Sequence, residues 1–132
     1  MIELDEVSKR YGNTLAVDRL SLSLAPGELF AFLGPNGAGK TTTIKMITGL
    51  LFPTSGTVRV GGHDMQREGD RARQLISYVP DQPFVYERLT GREFLQFIAG
   101  MYGMEPAQTE QRLQAMIETF RLRDFVDDLT QN

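Results

Sequence analysis

Lys40 and Thr41 close the segment GPNGAGKT, residues 34–41, behind glycines at 34, 37 and 39. The spacing fits GxxxxGKS/T, a loop that cradles the phosphates of a nucleoside triphosphate. Each residue type has a physical reason to be there. Glycine opens backbone angles closed to other residues, so the chain can curl tightly. Successive N–H groups then point inward and form an anion nest. A helix starting at the loop adds unpaired N–H groups and the positive end of its dipole. Lys40 supplies a compact charge for the terminal phosphates, and the Thr41 hydroxyl can hold Mg²⁺. The plain alternative is a glycine-rich strand-to-helix turn with no ligand.

The loop needs a strand before it and a helix after it. The apolar run 28–33, containing Leu29-Phe30-Ala31-Phe32-Leu33, predicts a central strand buried on both faces. Ile44, Ile47 and Leu51 predict a helix over about 39–50, ended by Pro53 and Gly56. Residues 2–8 and 15–24 predict earlier strands, with Leu20, Leu22 and Leu24 alternating with Ser21 and Ser23. A strand over 57–60, a turn at Gly61-Gly62, a short polar helix over 68–74 and a strand over 75–79 follow. Thr90 and Glu93 have capping-box spacing before Phe94, Phe97, Ile98 and Met101, one apolar helix face. A second helix starts near Pro106 and carries Leu113, Met116, Ile117 and Phe120. These apolar stripes are expected to be core. The division expected is a nucleotide-binding α/β core with an antiparallel β part over 1–87, and the start of a helical subdomain over 88–132.

Composition narrows the partners. The chain has 132 residues, 41% hydrophobic and 23% charged, which is the balance of one globular domain. A net charge of -3 argues against non-specific nucleic-acid binding. There is no cysteine, so thiol chemistry is excluded and a reducing cytosol is expected. No apolar run approaches the ~18 residues of a membrane span, so any membrane role passes through a partner.

Tyr11-Gly12, GPNGAGKTTT at 34–43, PTSGTVRVGGHD at 53–64 and ISYVPDQPFVYERLTGREF at 76–94 occur in that order. Together they resemble the N-terminal portion of an ATP-binding-cassette ATPase, the nucleotide-binding subunit of ABC transporters. The resemblance covers essentially the whole chain. It implies an α/β P-loop NTPase fold of the ABC type, truncated before the signature and Walker B motifs, with ATP and Mg²⁺ as cofactors. It also implies site residues. Tyr11 would stack on the adenine ring, and Val17 would pack near the sugar and base. Gly34, Pro35, Gly37, Gly39, Lys40 and Thr41 would form the phosphate cradle. Asn36 and Ala38 would contribute backbone N–H groups, and Thr42 would contact the α-phosphate. After Tyr78-Val79-Pro80 the family places a glutamine that binds Mg²⁺ and senses the membrane partner. Here Asp81 holds that place and Gln82 comes one later. Either Asp81 replaces the glutamine as an oxygen ligand beside Thr41, or the loop shifts to present Gln82. The plain alternative is a solvated turn before Pro83. His63 is expected to be a surface turn residue, and the run from Arg67 to Arg73 a solvated face. Phe84, Val85 and Tyr86 could line a groove that receives a helix of the membrane subunit.

The family hydrolyses ATP with a signature loop, a Walker B Asp-Glu pair and a histidine, none of which is found here. No catalytic residue is therefore expected within these residues, which should bind nucleotide with little or no hydrolysis. The 28–33 strand would keep an open apolar edge, and self-association is expected from it. The function expected from the resemblance couples ATP binding and hydrolysis to transport through a separate membrane subunit. A second ATP-binding subunit would join head-to-tail, and the location would be cytoplasmic, peripheral to the membrane. DQP and LTGREF lean toward bacterial exporters with separate ATPase and membrane chains. A soluble cassette ATPase not coupled to transport, or a non-hydrolytic nucleotide-binding module, is the alternative. A phosphate-loop GTPase is disfavoured, because neither DxxG after the loop nor NKxD occurs.

Overall fold

A computed structural model describes residues 1–82 and 85–130. They form two compact units, Met1–Val79 and Pro80–Asn132.

The first unit is built on a four-stranded antiparallel sheet of order β2-β1-β3-β4. Strands β1 (Ile2–Tyr11) and β2 (Thr14–Leu24) form a hairpin through Gly12 and Asn13, with Tyr11 opposite Thr14. Gly12 has φ +53, the left-handed conformation that such two-residue hairpin turns require. Strand β3 (Ser55–Val60) pairs with the other edge of β1, and β4 (His63–Asp64) with β3. Two non-glycine residues in the hairpin, Glu6 and Arg19, also have positive φ, where the register slips. Their N–H groups are not lost. Glu6 donates to Ser21 Oγ and Arg19 to Ser8 Oγ, so each irregularity carries its own acceptor.

Helix α1 (Lys40–Ile47) buries Thr43, Met46 and Ile47. Met46 and Ile47 join Leu4, Val7, Val17, Val58, Val60, Met65 and Ala72 in one apolar cluster. The short helix α2 (Gly69–Arg73) is mostly polar, as its composition predicts, but Ala72 is fully buried within that cluster. His63 is not a free turn residue. It sits in β4, half-buried, with Nδ1 3.3 Å from Glu68 Oε1. That contact holds the Glu68 carboxyl below its usual range.

Two expected strands are absent. Residues 28–33 carry no helix or strand; Leu29 is 102% and Leu33 91% exposed. Only Phe32 packs against the core, with the Phe30 ring edge-on to it at 5.0 Å. Residues 75–79 are likewise without strand; Ile76 packs inward while Val79 is 88% exposed. A run that is apolar on both faces needs hydrogen-bonded neighbours at its edges and a layer on each face. Among the described residues no strand pairs with either run. The open-edge expectation therefore does not hold as stated, because the segment is not a strand here.

In the second unit, helix α3 (Gly91–Met101) begins with the predicted capping box. Thr90 Oγ1 accepts from the Glu93 N–H at 3.2 Å, and the Thr90 N–H donates to Glu93 Oε2 at 2.9 Å. Helix α4 (Pro106–Phe120) starts at proline, whose missing N–H costs nothing in a first turn. Leu113, Ile117 and Val126 form the core, with Leu95 and Leu122 against it. The expectation that both stripes are core fails for α3, which has no buried residue. Phe97, Met101, Met116 and Phe120 are exposed. Helical period identifies an apolar face, but a face is buried only where another element covers it. Phe97 does meet the Tyr86 ring edge-on at 5.5 Å. Of the expected groove residues Phe84, Val85 and Tyr86, Phe84 lies outside the described residues.

The start of α3 is pinned to the segment after α4. Arg92 donates through Nε and Nη2 to the two Asp127 oxygens at 2.7 and 3.2 Å, and its N–H donates to the Val126 carbonyl at 2.7 Å. The hydrogen bond from Arg92 holds the Asp127 carboxyl below its usual value, against a smaller opposing effect of burial. A lowered carboxylate pKa contributes stability at neutral pH that is lost as pH falls through the lowered value. Circular dichroism at 222 nm should show part of the helical signal weakening below about pH 4. The step should be small, because the pair is open to solvent. It should shrink further in Asp127→Asn. An equal acid response in the variant would remove this pair as its source.

Candidate phosphate-binding site

The loop that precedes α1 folds around an open hollow of about 300 Å³, walled by residues 36–42 and by Ala16 of β2. Gly37 and Gly39 have φ of +86 and +81, left-handed backbone that favours glycine. Gly39 is also the N-cap of α1, and no side chain caps the helix. The first-turn N–H groups are therefore left for an external acceptor. No acidic residue lies in that turn, so nothing opposes an anion at the positive end of the helix. Close packing limits the same glycine. A Cβ on Gly39 would come within 2.5 Å of the Ala16 carbonyl oxygen and 3.0 Å of Val17 Cγ2.

Lys40 braces the loop. Its ammonium donates to the carbonyls of Gly34 at 2.6 Å and Pro35 at 2.7 Å. An ammonium has three donors, so one remains after these two. The Thr43 N–H and hydroxyl both donate to the Gly39 carbonyl, at 2.8 and 2.9 Å, which ties the helix start to the loop. Thr41 is exposed and Thr42 half-buried at the wall of the hollow. The Ala38 N–H donates to the Pro35 carbonyl at 3.3 Å, inside the loop rather than into the hollow.

The structure thus brings Asn36, Gly37, Ala38, Gly39, Lys40, Thr41 and Thr42 around one space, with Gly34 and Pro35 held behind them by Lys40. Val17 is not at the wall. It is a core residue, and its neighbour Ala16 lines the hollow. Sequence reasoning missed Ala16, because an alanine beside a valine in a strand gives no sign of which one faces the loop. Tyr11 stands at the turn of the same hairpin. It pairs with Thr14, two residues or roughly 7 Å along β2 from Ala16. Tyr11 as a residue is 48% exposed. Asp81 and Gln82 fall in the second unit, both exposed, outside any helix or strand.

The arrangement fits a polyphosphate. It offers helix N–H groups, left-handed glycines that open the curl, one braced cation and a threonine hydroxyl. Among the described residues no helix is long and apolar enough to cross a membrane.

The family described as "ABC transporter" matches residues 17–132. The chain is 38% identical over 130 residues to the probable multidrug ABC transporter ATP-binding protein YbhF of Escherichia coli, covering 98% of this chain and 22% of that protein. It is 42% identical to the daunorubicin/doxorubicin resistance ATP-binding protein DrrA of Streptomyces peucetius, covering 97% of this chain and 39% of that protein. The chain therefore spans well under half the length of these curated relatives. Its fold superposes on the ATP-binding subunit of an ABC transporter with TM-score 0.83 at 32% identity, covering 98% of this chain and 54% of the other. A dimeric ATP-binding cassette bound to ADP and Pi shares the fold, with TM-score 0.82 at 22% identity, covering 98% and 62%.

Proposed function

The chain belongs to the ABC transporter family, and from that premise we propose that it binds MgATP as part of the ATP-binding subunit of a transporter. The observation that carries this is the hollow at the start of α1, with Lys40 tied to the loop carbonyls and the glycine turns around it. The backbone N–H groups of the α1 first turn and the third donor of Lys40 hold the phosphates. Thr42 lies where the helix begins, suited to the α-phosphate. Tyr11 provides a stacking face for the base, which tolerates any base with a π face. The Thr41 hydroxyl would hold Mg²⁺, and Asp81 or Gln82 would offer a further oxygen donor. Mg²⁺ held there would offset the negative charge of the phosphates.

Apart from Asp81, which is placed here as a metal ligand, none of these residues is a base that could activate water, so this chain is proposed to bind nucleotide with little or no turnover. Coupling to transport requires a membrane-spanning subunit and a second ATP-binding subunit. ATP titration with and without Mg²⁺ tests the reading. ATP affinity should rise with Mg²⁺, and that gain should fall in Thr41→Ala and in one of Asp81→Ala or Gln82→Ala. If neither of the last two variants changes the Mg²⁺ effect, the second ligand is assigned wrongly. Absence of ATP binding altogether would overturn the proposal.

A further inference from the structure

Lys9 lies two residues before Tyr11 on β1 and faces its ring. The ammonium is 5.4 Å from the ring centroid, within cation–π range. The same ammonium donates to the Phe52 carbonyl at 2.7 Å. Phe52 belongs to the segment that leaves α1, and two more bonds fasten that segment to the end of β1. The Thr54 N–H donates to the Ser8 carbonyl at 2.8 Å, and the Arg10 N–H to Thr54 Oγ1 at 3.1 Å. The last residues of β1 are thus clamped on one side before the chain turns at Gly12.

We infer that Lys9 is a positioning residue for the nucleobase: it occupies one face of the Tyr11 ring, so a base can stack only on the other. This deepens the reading of Tyr11 as the base platform and rests on it. Lys9 acts in two ways. Its bond to Phe52 fixes the ammonium, which an unanchored lysine on a flexible stem would not achieve. The fixed cation attracts the ring face and restrains the ring, so less freedom is lost when a base arrives. Its charge remains on the far side of the ring from the ligand. The effect should therefore fall on ligands that carry a base and spare those that carry only phosphates.

The test compares ATP with inorganic tripolyphosphate on the full chain, for the unaltered sequence, Lys9→Met, Lys9→Arg and Tyr11→Ala. Lys9→Met should weaken ATP binding roughly three- to fivefold and leave tripolyphosphate binding unchanged. Lys9→Arg, which keeps a cation and a donor, should restore ATP affinity. Tyr11→Ala should weaken ATP roughly tenfold, again sparing tripolyphosphate. If Tyr11→Ala leaves ATP binding intact, the base platform itself is wrong. If Tyr11→Ala weakens ATP but Lys9→Met does not, only the role of Lys9 is wrong. Equal loss of both ligands in Lys9→Met would mean that Lys9 merely braces the strand, and would also overturn the inference.

Discussion

Lys40→Ala should weaken ATP binding by roughly 10- to 100-fold and should loosen the loop even before nucleotide arrives. The first effect follows from the strength of a hydrogen bond to a charged group, about 1.5–3 kcal/mol, at 1.4 kcal/mol per decade. The second follows from the contacts to the Gly34 and Pro35 carbonyls. A loop of this kind has few partners of its own, and Lys40 provides two of them. Without the ammonium those carbonyls turn to water and the curl loses its inner tie. Two measurements separate the effects. Calorimetric titration reads ATP affinity. Hydrogen exchange of the amides over 34–39 in nucleotide-free protein reads the brace, and protection should fall in the variant. Unchanged protection would show that the glycine turns and the α1 start hold the loop unaided. Unchanged affinity would remove Lys40 from the phosphate site.

Gly39→Ala should be the most damaging single methyl in the loop, destabilising the first unit by about 3 kcal/mol. Two costs combine. A side chain in the left-handed region costs about 1–2 kcal/mol, and Gly39 has φ +81. Overpacking adds about 1–3 kcal/mol, because the new Cβ would meet the Ala16 carbonyl at 2.5 Å. That carbonyl belongs to β2 backbone and cannot swing aside as a side chain would. The melting temperature of that unit should drop by roughly 12–24 °C. Gly37→Ala is the control: its φ is +86, but nothing lies within 4 Å of its Cβ. It should cost only the conformational part, about 1–2 kcal/mol. Equal shifts for the two variants would show that the packing against Ala16 contributes nothing.

Some of this was legible in the residues before any fold was known. Pattern strength explains why. The motif at 34–41 combines three glycines, a lysine and a threonine at set spacing, and each has a local reason to be there. Strand β2 showed in the alternation of leucines with serines, though its pairing with β1 did not. The capping box at Thr90 and Glu93 is a contact three residues apart, so sequence spacing alone specifies it. The family, too, followed from ordered motifs, and the match over residues 17–132 bears it out.

Other features depended on partners that no local pattern contains. The run 28–33 reads as a buried strand, yet it stays uncovered because strand formation depends on a neighbour's N–H and C=O groups. The α3 stripe reads as core, yet burial depends on what lies against it. Ala16 lines the hollow while Val17 beside it joins the core, because adjacent strand residues point to opposite faces. Lys9 carried no sequence signal at all. Its contact with Tyr11 needs β1 to be extended, and its anchor at Phe52 is 43 residues away in the chain.

By itself the sequence determined the phosphate-loop motif, the turns and the α3 cap, because each rests on residues within a few positions of one another, and the family through several such motifs in order. Only the tertiary structure decided which residues wall the hollow, where Lys40 spends its donors and what faces the Tyr11 ring. Those outcomes depend on contacts between segments far apart in the chain, where packing and register override any local preference.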